Sequence, residues 1–224
     1  MTVAELQERL VAWASAEPRQ GWILAARRDY FARRGEPRED DPSYEARMNG
    51  LLDFFAFDFR PDGVETTLQH CLREGGGELD AAARAELAEM AHGIHGLFEV
   101  RRLRPGEVRV RDVLTRATHD VLERRATPGL EKGDLIEARL LPQGGRLHFS
   151  SAFLFHPRTV RKRILKEATR RSKEAGKGGR PDVQAFLDLL SRMALKLERY
   201  RNVRAESIYD FASAGPALTP RPGP

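Results

Sequence analysis

The sequence predicts an α+β protein with a helical N-terminal part, a small five-stranded antiparallel barrel-like β module and C-terminal helices. Apolar residues recur at helical spacing up to residue 95, alternate with a period of two from residue 96 to residue 157, and return to helical spacing after Pro157. Five short strands joined by tight turns are typical of SH3-like and OB-like barrels, and the pattern alone does not separate the two.

The changes of period also predict the domain organisation. The predicted regions are a helical region (1–95), a small β-barrel module (96–157), basic C-terminal helices (158–204) and a flexible proline-rich tail (205–224). At 224 residues the chain is long enough to bury a core as one large or two small domains.

Composition excludes several classes of protein. No apolar run approaches the roughly 20 residues that span a bilayer, so membrane insertion is not expected. The N-terminus has early acidic residues and no uninterrupted apolar core, so it is not expected to be a signal peptide. A single cysteine, Cys71, excludes an internal disulfide framework, and a cytoplasmic location is the resulting expectation.

Two helices are predicted at the N-terminus. Thr2 followed by Glu5 has the spacing of a capping box, and Leu6, Leu10 and Trp13 then lie on one helix face. The segment 21–35 predicts a second helix that ends at a glycine. Its buried candidates are Trp22, Leu24, Ala25, Tyr30 and Phe31.

The stretch 43–60, SYEARMNGLLDFFAFDFR, predicts the helix at the centre of the helical core. Its apolar residues at helical spacing are Met48, Leu51, Leu52, Phe55 and Phe59. Exposed phenylalanines beside basic residues also occur in base-stacking platforms, but this spacing favours core packing. Two shorter helices are expected at 64–74 and 79–93, the second capped by Asp80.

Five segments predict the strands of the β module: 97–103, 107–114, 118–127, 134–141 and 146–156. In the fifth, Leu147, Phe149, Phe153 and Phe155 are expected on one side. Asp112 is expected to point inward, where an aspartate usually caps a turn or pairs with an arginine. Two helices follow, one basic from Arg158 to about Lys173 and one strongly amphipathic and capped by Asp182.

Motifs for catalysis or for a cofactor are weak. EGGGELD lacks the Lys and Ser/Thr of a phosphate-binding loop. A zinc site would need two helices to bring together His70, Cys71, His92 and His95, and Gly93 interrupts the second helix. Ser150 and Ser151 lie near two histidines on a strand, without the turn that exposes a nucleophile. We therefore expect no metal, no cofactor and no enzymatic activity.

Residues from about 48 to 150 resemble a bacterial domain of unknown function that is often found beside SEC-C zinc motifs. The matching features, in order, are an aromatic FDF helix, a DG-T turn and helix, a GLFEV strand, a DVLT strand end and a GD-ARLLP-GG hairpin. The chain has no cysteine-rich SEC-C segment, so the metal and the partners of that segment are not implied. The resemblance implies a helix-plus-small-barrel fold and no specific activity.

The segment Arg158 to Arg180 concentrates positive charge in one part of the chain. It contains ten Lys or Arg and two Glu, a local charge of +8 in a chain of net charge +5. The candidate binding residues for nucleic acid or an acidic partner are Arg158, Arg161, Lys162, Arg163, Lys166, Arg170, Arg171 and Lys173. Four more arginines in the β module would extend this surface if they faced the same way: Arg109, Arg111, Arg124 and Arg125.

Three interpretations of this basic segment remain open. In the first, it is a solvated helix face whose charge is balanced by the acidic segments EPREDD and GELDAAARAELAE. In the second, it is a surface that binds the backbone of nucleic acids. In the third, it is a helix that docks on an acidic protein partner. The sequence favours a non-enzymatic binding protein but names no partner and no oligomeric state.

Overall fold

A computed structural model describes residues 1–75, 79–123, 129–176, 181–200 and 202–212. This part of the chain forms eight α-helices, two short 3-10 helices and five strands. The α-helices are α1 (Val3–Ser15), α2 (Gly21–Arg34), α3 (Tyr44–Phe57), α4 (Thr67–Arg73), α5 (Ala81–Glu89), α6 (Arg161–Glu174), α7 (Val183–Arg199) and α8 (Ala205–Ile208). The 3-10 helices are Met90–His92 and Arg158–Val160. No helix in these ranges is long and apolar enough to cross a membrane.

Local capping signals position the N-terminal helices as predicted. Thr2 Oγ1 accepts the amide hydrogen of Glu5, and Glu5 Oε2 accepts that of Thr2, which completes the predicted capping box. Leu6 and Leu10 are fully buried in a cluster with α4 and α5. Asp80 caps α5 through the Ala83 amide, also as predicted.

The buried face of α2 agrees with the prediction in part. Tyr30 and Phe31 are buried as predicted, whereas Leu24, expected in the core, is 69% exposed. Ala26 and Arg34 are buried although they were not predicted to be. Arg34 is buried because Asp188 of α7 and Glu137 of the sheet bind its guanidinium. The charged residue Arg34 thus lies on the buried face of α2, and the spacing of the apolar residues did not predict its burial.

The β module contains β1 (Ile94–Arg104), β2 (Glu107–Asp112), β3 (Thr118–Leu122), β4 (Leu135–Gln143) and β5 (Arg146–His156). The strand order is β1-β2-β3-β5-β4, and the order closes because β1 pairs with both β2 and β4. The prediction of a purely antiparallel sheet was wrong, since β3 and β5 pair in parallel. The fold is therefore α+β with a mixed five-stranded sheet.

The interior of the closed sheet is apolar. Phe98 and Val100 of β1 meet Val108 and Val110 of β2 there, and β4 and β5 complete the cluster. One expected member is outside it: Phe155 is 42% exposed at the end of β5. As predicted, Asp112 is buried and caps a turn, accepting the amide hydrogens of Leu114 and Thr115.

Helices α6, α7 and α8 pack on the outer side of β1 and β4. Ile164, Phe186 and Tyr209 of this layer share one core cluster with Leu97 and Leu135 of the two strands. Part of the predicted tail belongs to this layer, because residues 205–212 carry α8 and bury Ile208 and Tyr209. Residues 213–224 lie outside the described part of the chain.

Candidate nucleic-acid interface

Helix α6 presents four cations of the basic segment to solvent along one face. Val160, Ile164 and Ala168 are fully buried against α7, which fixes the orientation of the helix. At about 100° per residue, the opposite face carries Lys162, Lys166, Arg170 and Lys173.

Four of the eight predicted binding residues are ion-paired with carboxylates. Arg158 contacts Glu131 at 2.8 Å and Asp134 at 2.6 Å, at a loop before β4. Arg161 bonds Glu99 of β1 and donates from Nε to the carbonyl oxygen of Gly133 at 3.0 Å. These carboxylates are not in EPREDD or GELDAAARAELAE, the acidic segments that were expected to balance the basic segment. Asp41 of EPREDD pairs instead with Arg199 of α7.

The other two paired arginines lie late in α6 and share one carboxylate. Arg170 and Arg171 both reach Glu167 at 2.7 Å, and Arg170 also bonds Glu174. The hydrogen bond from Arg170 lowers the pKa of Glu167, so this carboxylate is ionised at neutral pH. Arg171 also lies over the ring of Phe186, 4.9 Å from its centroid. The ion pairs of these two arginines lie within α6 itself, and half of the predicted set is neutralised within the fold.

Three lysines of α6 have no such partner. Lys162, Lys166 and Lys173 are exposed, and their side chains make no hydrogen bond or ion pair with the described residues. Their spacing of four and seven residues places them within about 40° of one another around the helix and over about 16 Å of its length. We call these three residues the lysine row. Arg163, on the same helix, donates to the carbonyl oxygen of Glu206 at 3.1 Å.

Arg116 lies beside the lysine row. Its backbone has a φ of 68°, a left-handed conformation, in the loop between β2 and β3. Its Nη2 donates to Thr169 Oγ1 of α6 at 3.0 Å, and no carboxylate in the described ranges pairs with it. Since Ser172 Oγ also donates to the carbonyl oxygen of Leu114 at 3.0 Å, this loop and α6 form one surface. Arg116 thus adds a fourth uncompensated cation.

Two of the four β-module arginines that were expected to extend the basic surface, Arg109 and Arg111, lie on β2. Arg111 lies directly opposite Glu99 in the β1–β2 ladder, beside Arg161 of α6. Arg109, however, is neutralised by Asp120, which accepts two hydrogen bonds of 2.6 Å from it. Arg124 and Arg125 lie outside the described residues.

A buried polar cluster between α2, α3, α7 and the sheet was not predicted. Arg34 Nη1 bonds Glu137 Oε1 at 2.5 Å, and His95 Nε2 lies 2.9 Å from the same oxygen. Burial alone would raise the pKa of Glu137, but the charge of Arg34 and the hydrogen bond of His95 lower it to about 2. The adjoining cavity of about 20 Å³ has room for one water-sized molecule.

The residues considered for zinc binding are not brought together. His95 contacts Glu137, whereas His70 lies on α4, with Nε2 3.1 Å from Asp62 Oδ2. Asp62, Glu65 and His70 place their ligand atoms within 4.8 Å of one another. Arg73 Nη2, however, lies 2.6 Å from His70 Nδ1 and must donate to it, which leaves the proton on Nε2 and opposes metal coordination there.

Ser150, one of the two serines considered as nucleophiles, has another partner. Ser150 Oγ donates to Asp53 Oδ2 at 2.6 Å, and His156 Nδ1 lies 3.2 Å from the Tyr209 hydroxyl. Asp53 and Asp58, which do not share a helix face, are joined by Arg139 instead. These polar groups hold α3 and α8 against the sheet.

Residues 37–190 match the model of a family described as Family of unknown function (DUF7986). The chain belongs to this family. No curated protein and no solved structure matches the chain significantly. DUF7986 membership confirms the predicted resemblance to a domain of unknown function, while the association with SEC-C motifs stays a prediction.

The DUF7986 segment includes every strand of the closed sheet and the whole of α6. Arg116, the lysine row and Glu99 are therefore all within the segment that defines the family. The two N-terminal helices α1 and α2 precede it.

Proposed function

We propose that this protein binds the backbone of nucleic acids through the lysine row and Arg116, as a non-enzymatic binding protein. The observation that carries the proposal is the exposure of three lysines on one helix face without a carboxylate partner among the described residues. Uncompensated cations in a row attract a polyanion, because each phosphate they neutralise releases a condensed counterion.

The dimensions of the lysine row suit a phosphate backbone. Its length of about 16 Å corresponds to about five phosphates of one strand, at about 3.4 Å of helix axis per phosphate. The surface is smaller than the eight-residue set in the prediction, because Arg158, Arg161, Arg170 and Arg171 are paired within the fold.

The arrangement of the strands supports the same proposal by analogy of fold. We infer that the closed sheet is an OB-like barrel, since β1 pairs with both β2 and β4 while β5 crosses to pair in parallel with β3. OB-like barrels often bind oligonucleotides on the outer face of their second and third strands. This analogy of fold favours nucleic-acid binding but does not identify a ligand.

The chemistry of that outer face favours contacts with phosphates over contacts with bases. The outward residues of β2 and β3 include Arg109, Arg111 and Asp120, and no aromatic side chain of the described β2 and β3 residues points outward. The imidazole ring of His119 in β3 packs against Phe98 inside the barrel. Without a stacking platform, binding would depend little on base sequence.

The test compares two triple variants that lose the same charge. Lys162→Gln, Lys166→Gln and Lys173→Gln are combined in one protein. The control combines Arg9→Gln, Arg28→Gln and Arg38→Gln, three exposed residues whose side chains make no hydrogen bond or ion pair in the described part of the chain. Fluorescence anisotropy with a random-sequence duplex at 0.1 M salt gives the affinities.

We expect the lysine variant to lose affinity by roughly 500-fold, because each of the three lost phosphate contacts removes about 0.9 of a decade at this salt concentration. The control variant should retain wild-type affinity. Equal losses in both variants would refute a localised interface. A wild-type protein that binds acidic polypeptides such as polyglutamate but no nucleic acid would overturn the proposal in favour of an acidic protein partner.

A further inference from the structure

Glu99 is surrounded by three arginines from three different elements. Arg101 Nη1 lies 3.0 Å from Glu99 Oε1, Arg111 Nε lies 3.9 Å from Oε2, and Arg161 bonds Oε1 from the start of α6. We call these four residues the Glu99 cluster.

The fold builds the Glu99 cluster from both near and distant parts of the chain. Arg111 is the direct ladder partner of Glu99, and a register shift between Val100 and Arg102 displaces the strand beside Arg101. Arg161 is fixed by its hydrogen bond to the carbonyl oxygen of Gly133, in the loop before β4. The guanidinium groups are thereby held at defined positions before any ligand arrives.

The carboxylate of Glu99 lies beneath the guanidinium groups. The Glu99 side chain is only 5% exposed, whereas Arg101, Arg111 and Arg161 are 46%, 32% and 33% exposed. Burial raises the pKa of Glu99, but hydrogen bonds from Arg161 and Arg101 outweigh it and lower the pKa, so the group is ionised at neutral pH. Glu99 orders the arginines from below and leaves their outer edges open to solvent.

The Glu99 cluster carries an excess of two positive charges, from three guanidinium groups and one carboxylate. Arg111 Nε is buried and has no hydrogen-bond partner within the described residues. Helix α6 begins at Arg161 and has no side-chain cap, so its positive dipole end adds to this field. A dianion with several acceptor oxygens matches this charge and these donors.

We propose that the Glu99 cluster binds a phosphate monoester, the terminal phosphate of a nucleic-acid strand whose backbone follows the lysine row. This inference rests on the proposed function above. A terminal phosphate carries close to two negative charges at neutral pH and three acceptor oxygens, whereas an internal phosphodiester carries one charge. Arginine donates paired hydrogen bonds to phosphate oxygens, which gives such a site its geometric specificity. Lys162 directly follows Arg161, so the strand would enter the lysine row at its first residue.

The test uses one 12-nucleotide single strand in three forms, with a 5′-phosphate, with a 3′-phosphate and with hydroxyl groups at both ends. We expect one of the phosphorylated forms to bind wild-type protein on the order of tenfold tighter than the hydroxyl form at pH 7.5. This preference should shrink at pH 5, where the monoester loses its second charge. Equal affinities for the three forms at pH 7.5 would overturn the inference.

Two variants on the same strand separate the site from general charge effects. Arg111→Gln should abolish the preference for a phosphorylated end, so that the three forms of the strand bind this variant with equal affinity. Arg109→Gln, whose arginine pairs with Asp120 on the same face, is the matched control and should keep the preference. A preference that survives in Arg111→Gln would contradict the assignment to the Glu99 cluster.

A separate measurement keeps this inference distinguishable from the proposed function. Titration of inorganic phosphate, followed by ³¹P line broadening, tests the Glu99 cluster without any oligonucleotide. Broadening that is lost in Arg111→Gln and kept in the triple lysine variant supports the phosphate site. If no oligonucleotide binds wild-type protein, the proposed function fails, and with it the assignment to a strand end. Absence of broadening in wild-type protein would overturn the phosphate site itself.

Discussion

His156 should make the stability of this protein depend on pH between about 6.5 and 4. It is the last residue of β5, its Nδ1 lies 3.2 Å from the Tyr209 hydroxyl, and its Nε2 is buried without a hydrogen-bond partner in the described part of the chain. Burial lowers the pKa of His156 from 6.5 to about 4, with a smaller contribution from the charges of Arg47 and Arg34.

The sign of the effect follows from proton binding. As the pH falls below 6.5, His156 becomes protonated in the unfolded chain but not in the folded protein. The contribution of this histidine to the free energy of unfolding is therefore fully present above pH 6.5 and is lost as the pH falls towards 4. The full difference amounts to about 3 kcal/mol, at 1.36 kcal/mol per unit of pKa. Between pH 7.5 and pH 5 the expected loss is about 2 kcal/mol.

Urea denaturation of wild-type protein and of His156→Gln at pH 7.5, 6.5, 5.5 and 5 measures this loss. From pH 7.5 to pH 5, the free energy of unfolding should fall by about 2 kcal/mol less in the variant than in wild type, whatever the stability of the variant at pH 7.5. His92→Gln, at an exposed histidine, should follow the wild-type curve. Parallel curves for wild type and His156→Gln would refute the argument that His156 is buried in its neutral form.

Two further predictions concern the buried polar cluster. Arg34→Ala leaves Glu137 and Asp188 without their buried cation and should reduce the free energy of unfolding by about 3–5 kcal/mol in urea denaturation; a loss below about 1 kcal/mol would contradict the ion-pair assignment. Gly50→Ala places a methyl group against the Tyr30 hydroxyl and should cost about 1–3 kcal/mol in thermal or urea unfolding. The same substitution in a Tyr30→Phe background should cost less, and equal costs in both backgrounds would exclude this clash.

Features that depend on neighbouring residues could be predicted from the sequence. The capping box of Thr2 and Glu5 and the caps at Asp80 and Asp182 are satisfied within three residues of the cap itself. A second box, at Thr66 and Gln69, gave a signal of the same kind, and it would have placed the start of α4 three residues later than the prediction.

Features that join distant segments could not be predicted. The parallel pairing of β3 with β5 depends on closure of the whole sheet, which no local alternation encodes. The partner of Arg161 is Glu99, 62 residues earlier, and that of Arg34 is Asp188, 154 residues later. The sequence could identify the basic segment but could not separate its paired arginines from its unpaired lysines.

The central claim is that the lysine row and Arg116 are uncompensated and contact phosphates. The most direct measurement is the affinity for a duplex as a function of salt concentration between 50 and 200 mM. Four phosphate contacts predict a slope of log affinity against log salt of about −3.6 for wild-type protein and about −0.9 for the triple lysine variant. Identical slopes in the two proteins would contradict the claim.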